Sequence, residues 1–111
     1  MRVLRAADFS RGLREGARTS DARLTVWAIE NGLPHPRLGL LVGKRNGNAP
    51  TRNLLKRRLR EAFRTAQHEL PPGLDLLVRV RWGKVPETAR CRQSLLALAR
   101  RLSERFPRKA P

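Results

Sequence analysis

Between Lys44 and Arg64 the chain reads KRNGNAPTRNLLKRRLREAFR, eight basic residues against one acidic one, Glu61. Arginine stays protonated at neutral pH, so a segment dominated by it is poorly suited to proton transfer. It binds anions, and the planar guanidinium fork suits phosphate because it makes two parallel hydrogen bonds. Other material for chemistry is thin. Nine acidic residues are scattered, the two histidines (His35 and His68) lie far apart, and Cys91 is the single cysteine. No carboxylate pair, Ser/His/Asp order or metal-ligand spacing emerges, so no catalytic residue and no protein metal site is expected. The chain is expected to bind rather than to react.

A helix must position these charges. It begins near Pro50 or Thr51, carries Leu55, Leu59, Ala62, Phe63, Ala66 and Leu70 at helical spacing, and ends at Pro71–Gly73. With Leu55 at zero on a wheel, the apolar side chains through Ala66 span roughly −20° to 80°, and Asn53, Lys56, Arg57, Arg60 and Arg64 roughly 100° to 200°. A basic stripe therefore runs beside the buried one. A merely solvated face would interleave Glu with Arg, whereas Lys56/Arg60 and Arg60/Arg64 set like charges four apart. Phosphates would relieve that repulsion, with strongly salt-dependent binding. GNAPT, at the start of the helix, is expected to offer backbone N–H groups to an anion, with Lys44, Arg45 and Asn48 around it.

The other elements follow from periodicity. ADFSRGLREG reads as a short helix capped by Asp8, with Phe9 and Leu13 on one face and Gly16 as its stop. Ala22–Glu30 and RLGLLVGK read as strands separated by the turn-forming NGLPHP. LDLLVRVR is a third strand, Leu74, Leu76, Val78 and Val80 inward and Asp75, Arg79 and Arg81 opposite. A last helix starts near Pro86 with the stripe Cys91, Leu95, Leu98, Ala99, Leu102 and Phe106, Cys91 being a small buried residue. Trp82 is assigned to packing near a strand end, and the tail PRKAP is expected to fray. The 111 residues are expected to form one domain, 1–111, of α+β class with a small sheet and three helices.

Twenty-five basic against nine acidic residues give a net charge of +16, which points to a polyanionic partner. A membrane-surface role would need a basic helix with a free apolar face, and this helix needs its apolar face for the core. No helix-turn-helix spacing suggests a duplex DNA reader. No signal peptide or apolar span is evident, so a cytoplasmic protein is expected.

Lys44-Arg45, Gly47-Asn48-Ala49, Arg52-Asn53, Lys56-Arg57 and Arg60-Glu61, in that order and spacing, resemble the signature of the bacterial ribonuclease P protein component. Asp8-Phe9, Gly16, Trp27 and Arg37-Leu38-Gly39 also fall where that family has such residues, and the similarity spans about residues 5–106. Four positions depart from the pattern. Leu54 stands in place of a third Arg, whose contact Arg58 is the nearest residue to replace. Asn46 stands where an apolar residue is common, Pro50 where Val is common, and Leu13 where many members carry a second aromatic.

The resemblance implies a small mixed sheet in α-β-β-β-α-β-α order with a left-handed βαβ crossover, adding or subdividing a strand around RLGLLVGK. It implies the protein subunit of an endoribonuclease that removes the 5′ leader of precursor tRNA. The catalyst would be an RNA subunit, which also chiefly holds the Mg²⁺, with no obligate protein partner. Lys44, Arg45, Asn48, Arg52, Asn53, Lys56, Arg57, Arg60 and Arg64 are then expected on the catalytic RNA, all but Arg64 by the family motif. The leader would lie in a cleft lined by Phe9, Leu13, Trp27 and Ile29, with Arg11 and Arg14 at its rim; stacking on Trp27 would tolerate any base. The alternative is a basic ribosomal or other structural RNA-binding protein with no role in cleavage.

Overall fold

The structure, a computed structural model, describes residues 6–81 and 85–106. The expectations for Trp82 and for the PRKAP tail lie outside the described residues. Three helices and four strands are α1 (Ala6–Glu15), β1 (Ala17–Ser20), β2 (Leu24–Glu30), β3 (Arg37–Leu41), α2 (Ala49–Ala66), β4 (Leu74–Val80) and α3 (Thr88–Ser103), with a 3₁₀ turn at Lys44–Asn46. The fourth strand is β1, not a subdivision of RLGLLVGK. Four residues ending in Arg-Thr-Ser carry no apolar alternation, so only pairing with β2, from Ala17 opposite Ala28 to Ser20 opposite Thr25, reveals it.

The sheet order is β1-β2-β4-β3. β2 pairs antiparallel with β1 and β4, while β3 and β4 run parallel across the α2 connection. The inward residues Leu24, Val26, Ala28, Leu38, Leu74, Leu76, Val78 and Val80 form one core with Leu55, Leu59, Ala62 and Phe63 of α2 and Cys91, Leu95, Leu98, Ala99 and Leu102 of α3. Cys91 is fully buried there, and burial pushes its thiol pKa up.

The opposite face of the sheet carries α1. Phe9 and Leu41 pack on buried Trp27 and Leu77. Gly12 lets the helix approach, since a Cβ there would stand 2.6 Å from a Leu77 methyl. Asp8 lies in the first turn rather than at the cap and sits 3.8 Å from Arg37. Arg37 forks onto Asp75, its Nε and Nη2 each donating at 2.7 Å, and Asn31 Nδ2 adds a third bond at 2.9 Å. Asp75 is only 2% exposed, so this network balances a buried charge beneath α1. The bonded Asp75 carboxylate raises the Arg37 pKa.

Candidate nucleic-acid interface

α2 starts at Ala49, with Asn48 as its cap: Oδ1 accepts from the Thr51 amide at 3.0 Å. Pro50 has no N–H, and Arg52 N–H donates to the Asn48 carbonyl at 2.9 Å. Within Gly47–Thr51, Gly47 N–H donates to the Lys44 carbonyl at 3.2 Å and Thr51 N–H to the Asn48 side chain, which leaves the amides of Asn48 and Ala49 for an anion. Asn46 Oδ1 instead accepts from Gly43 N–H at 3.1 Å and closes the 3₁₀ turn, which accounts for a polar residue at that place. Gly47 leaves the turn at φ +111°, a conformation suited to glycine, and a Cβ would press within 3.1 Å of Thr51.

Beyond the cap, Asn53, Arg57, Arg60 and Arg64 are exposed and Lys56 is half-buried on one side of α2, with Leu55, Leu59 and Phe63 buried on the adjoining side. Lys44 and Arg45 are exposed on the preceding turn. Glu61 binds Arg64 through two bonds, at 2.5 and 3.0 Å. The Arg64 guanidinium lowers the Glu61 pKa, and Glu61 raises that of Arg64. Arg60 and Arg57 have no such partner among the described residues. Arg52 is half-buried, and its Nε is enclosed without a bond. Arg58 does not join the stripe. Its Nη1 donates to the carbonyls of Val85 and Pro86 at 3.3 and 3.2 Å, tying α2 to the start of α3. Leu54 is half-buried, and Arg58 supplies no guanidinium in its stead.

The second group of expected residues lies on the outer sheet face. Phe9 is half-buried against Trp27, and Leu13, 43% exposed, is the one large apolar side chain left open among the described residues. Ile29 is buried on the same face as Trp27. Arg11 and Arg14 stand about 200° and 140° round α1 from Phe9. Arg11 Nε is bound to Glu15 at 3.2 Å, so this residue is turned from the cleft floor.

Trp27 itself is 8% exposed. Arg18 on β1 and Arg79 on β4 flank it from the two neighbouring strands, their guanidinium carbons 5.7 and 5.2 Å from the ring centre. Such distances favour cation–π attraction. Arg18 and Arg79 are absent from the sequence-derived site. The alternation of β4 already puts Arg79 on this face, but nothing in the sequence pairs it with Trp27, and Arg18 depends on the unforeseen β1.

The exposed basic stripe of α2 and the arginine-flanked Trp27 thus lie on different sides of one small sheet. The family model described as Ribonuclease P matches residues 1–103. The chain belongs to the ribonuclease P protein family. The ribonuclease P protein component of Photorhabdus laumondii is 42% identical over 84 residues, 75% of this chain and 70% of that protein. The ribonuclease P protein of Thermotoga maritima superposes with a TM-score of 0.81 at 32% identity, covering 91% of this chain and 97% of that one. That of Staphylococcus aureus gives 0.75 at 28% identity over 95% and 97%. Membership makes the chain a ribonucleoprotein subunit, accessory to the ribonuclease P endoribonuclease of tRNA processing, and working with an RNA subunit. The three helices and mixed four-stranded sheet are those of the solved ribonuclease P proteins. No described helix is long and apolar enough to cross a membrane.

Proposed function

We propose that this chain, in the cytoplasm, grips the catalytic RNA with Lys44, Arg45, Asn48, Arg52, Asn53, Lys56, Arg57, Arg60 and Arg64. The outer sheet face then receives the single-stranded 5′ leader of precursor tRNA, and the protein assists Mg²⁺-dependent removal of that leader. The separation of an exposed guanidinium stripe on α2 from an aromatic and basic cleft under α1 carries this proposal. One surface engages a fixed partner while the other remains open to substrate.

The protein's own donors do not suit Mg²⁺. Among the described residues no three acidic, His or Cys side chains gather to hold a metal. Asp75, Glu61, Glu69 and Glu15 are each bound to an arginine. A hard cation wants several oxygen ligands, so RNA phosphates are the fitting donors. The protein's contribution is electrostatic and positional. Its guanidinium groups neutralise phosphates that would otherwise demand more Mg²⁺, and its cleft restrains the leader.

The test is binding by the reconstituted protein–RNA complex of leader-bearing precursor and of mature tRNA. Trp27→Ala should weaken the first more than the second, because it removes the ring that supports Arg18 and Arg79. Equal losses would remove the leader from the outer face.

A further inference from the structure

α1 is held to the outer sheet face mainly by apolar contact. Phe9 packs on Trp27 and Leu77, and Gly12 lets the helix backbone down onto Leu77. Such contact is non-directional, so it sets the distance between helix and sheet more firmly than the rotation of the helix about its axis. One polar link is different. Asp8 Oδ2 lies 3.8 Å from Arg37 Nη2, with the two side chains 26% and 19% exposed, so the attraction is screened less than at an open surface. Arg37 is a rigid partner, because its fork is closed on Asp75, its neighbour directly across the β3–β4 ladder. Nη2 uses one hydrogen there and keeps a second for Asp8. Among the described residues this is the one ion pair that joins α1 to the sheet; Arg11–Glu15 lies within the helix.

We infer that Asp8, acting through Arg37, is a positioning residue that sets the rotation of α1 and so shapes the cleft proposed above for the leader, the reading on which this inference rests. The sheet order is the reason. β4 lies between β2 and β3, and the first turn of α1 spans it, with Phe9 against Trp27 of β2 and Asp8 near Arg37 of β3. Consecutive helix residues point about 100° apart, so attachments on opposite sides of β4 keep the helix from rolling. Leu13, exposed and about 40° round from Phe9, takes its place from the same rotation. Asp75 already balances the Arg37 charge, so Asp8 is not needed to neutralise a buried group. Its charge is surplus to the sheet and is accounted for by the position it gives the helix. A carboxylate in the first turn also complements the helix dipole, and the test separates the two roles.

The test compares binding of leader-bearing precursor and mature tRNA by the reconstituted protein–RNA complex. Asp8→Asn keeps the side-chain size and should weaken precursor binding about threefold, leaving mature tRNA and catalytic-RNA affinity unchanged. In a Trp82→Phe background it should also raise acrylamide quenching of Trp27, which reports the seating of the helix directly. Ala7→Asp/Asp8→Asn returns a carboxylate to the first turn, at an exposed position about 100° away. It should restore neither reading, because the charge no longer faces Arg37. If it restores both, the helix dipole explains Asp8 and the inference is overturned. Wild-type precursor affinity and quenching in Asp8→Asn also overturn it, while the leader reading stands so long as wild type prefers precursor over mature tRNA. Equal losses for the two tRNAs, or a loss of catalytic-RNA affinity, overturn it as a general fold defect. If wild type shows no preference for precursor, the leader reading itself fails and takes this role with it.

Discussion

Replacing Arg57 and Arg60 together by alanine removes two exposed guanidinium groups that no described carboxylate offsets. Each is expected to neutralise one phosphate of the catalytic RNA, and each phosphate contributes about 0.7–0.9 to the slope of log affinity against log salt. The double variant should therefore flatten that slope by roughly 1.6, so a fivefold rise in salt narrows its deficit against wild type by about 13-fold. The fold should survive, because both side chains lie off the buried face of α2. The assay is fluorescence or filter-binding titration of the RNA subunit at several salt concentrations, with circular dichroism as the control. Arg64→Ala gives an internal comparison. Its guanidinium is already bonded to Glu61, so it should lower the slope by less than Arg60→Ala. Parallel salt dependences for wild type and double variant would refute the stripe as a phosphate surface. A larger effect at Arg64 would refute the role given to Glu61.

Three further outcomes concern the scaffold. Arg37→Met leaves the buried Asp75 carboxylate without its fork and should cost about 3 kcal/mol in chemical denaturation, with Arg37→Met/Asp75→Leu recovering much of the loss; an unchanged midpoint for the single variant would show the pair to be idle. Gly12→Val should lift α1 from Leu77, cost roughly 1–3 kcal/mol, and reduce precursor affinity more than catalytic-RNA affinity; wild-type stability would contradict the close approach. Burial acts to raise the Asp21 carboxyl pKa, but bonds from the Leu24 and Arg23 amides and the Arg23 charge hold it below its ordinary value. A lowered folded pKa stabilises above the unfolded value near 3.9, and that stability is lost as pH falls through the folded value. Melting of wild type and Asp21→Asn should therefore converge in that acidic window, and a gap that stays constant down to pH 2 would contradict the shift.

How legible the molecule was depended on the kind of signal. The core stripes of α2, α3 and β4 are periodic, and the inward residues of β4 are buried as the spacing predicts. β4 also buries Asp75 and Leu77 on its other face beneath α1, which alternation does not record. The basic stripe of α2 is legible from its periodicity too. Its cap is less so. That Asn48 Oδ1 caps the helix by accepting from the Thr51 amide, leaving only its donors for an anion, depends on loop geometry. The wheel sets Arg58 at about 300°, off the stripe that holds Arg60, but does not show that it reaches back to Val85 and Pro86 while Arg60 remains exposed. The outer cleft is the least legible part. Arg18, Trp27 and Arg79 meet only through the β1-β2-β4 order, and Arg37 finds Asp75 across the β3–β4 ladder. Pairing between distant strands leaves no local pattern to read.

The most direct test of the central claim is cleavage of precursor tRNA at low Mg²⁺ by the cognate RNA subunit, with and without this protein. Stimulation at the mature 5′ end, together with no cleavage by protein alone, is the predicted result. Tight RNA binding without stimulation, or cleavage that follows the purified protein in the absence of RNA, would contradict it.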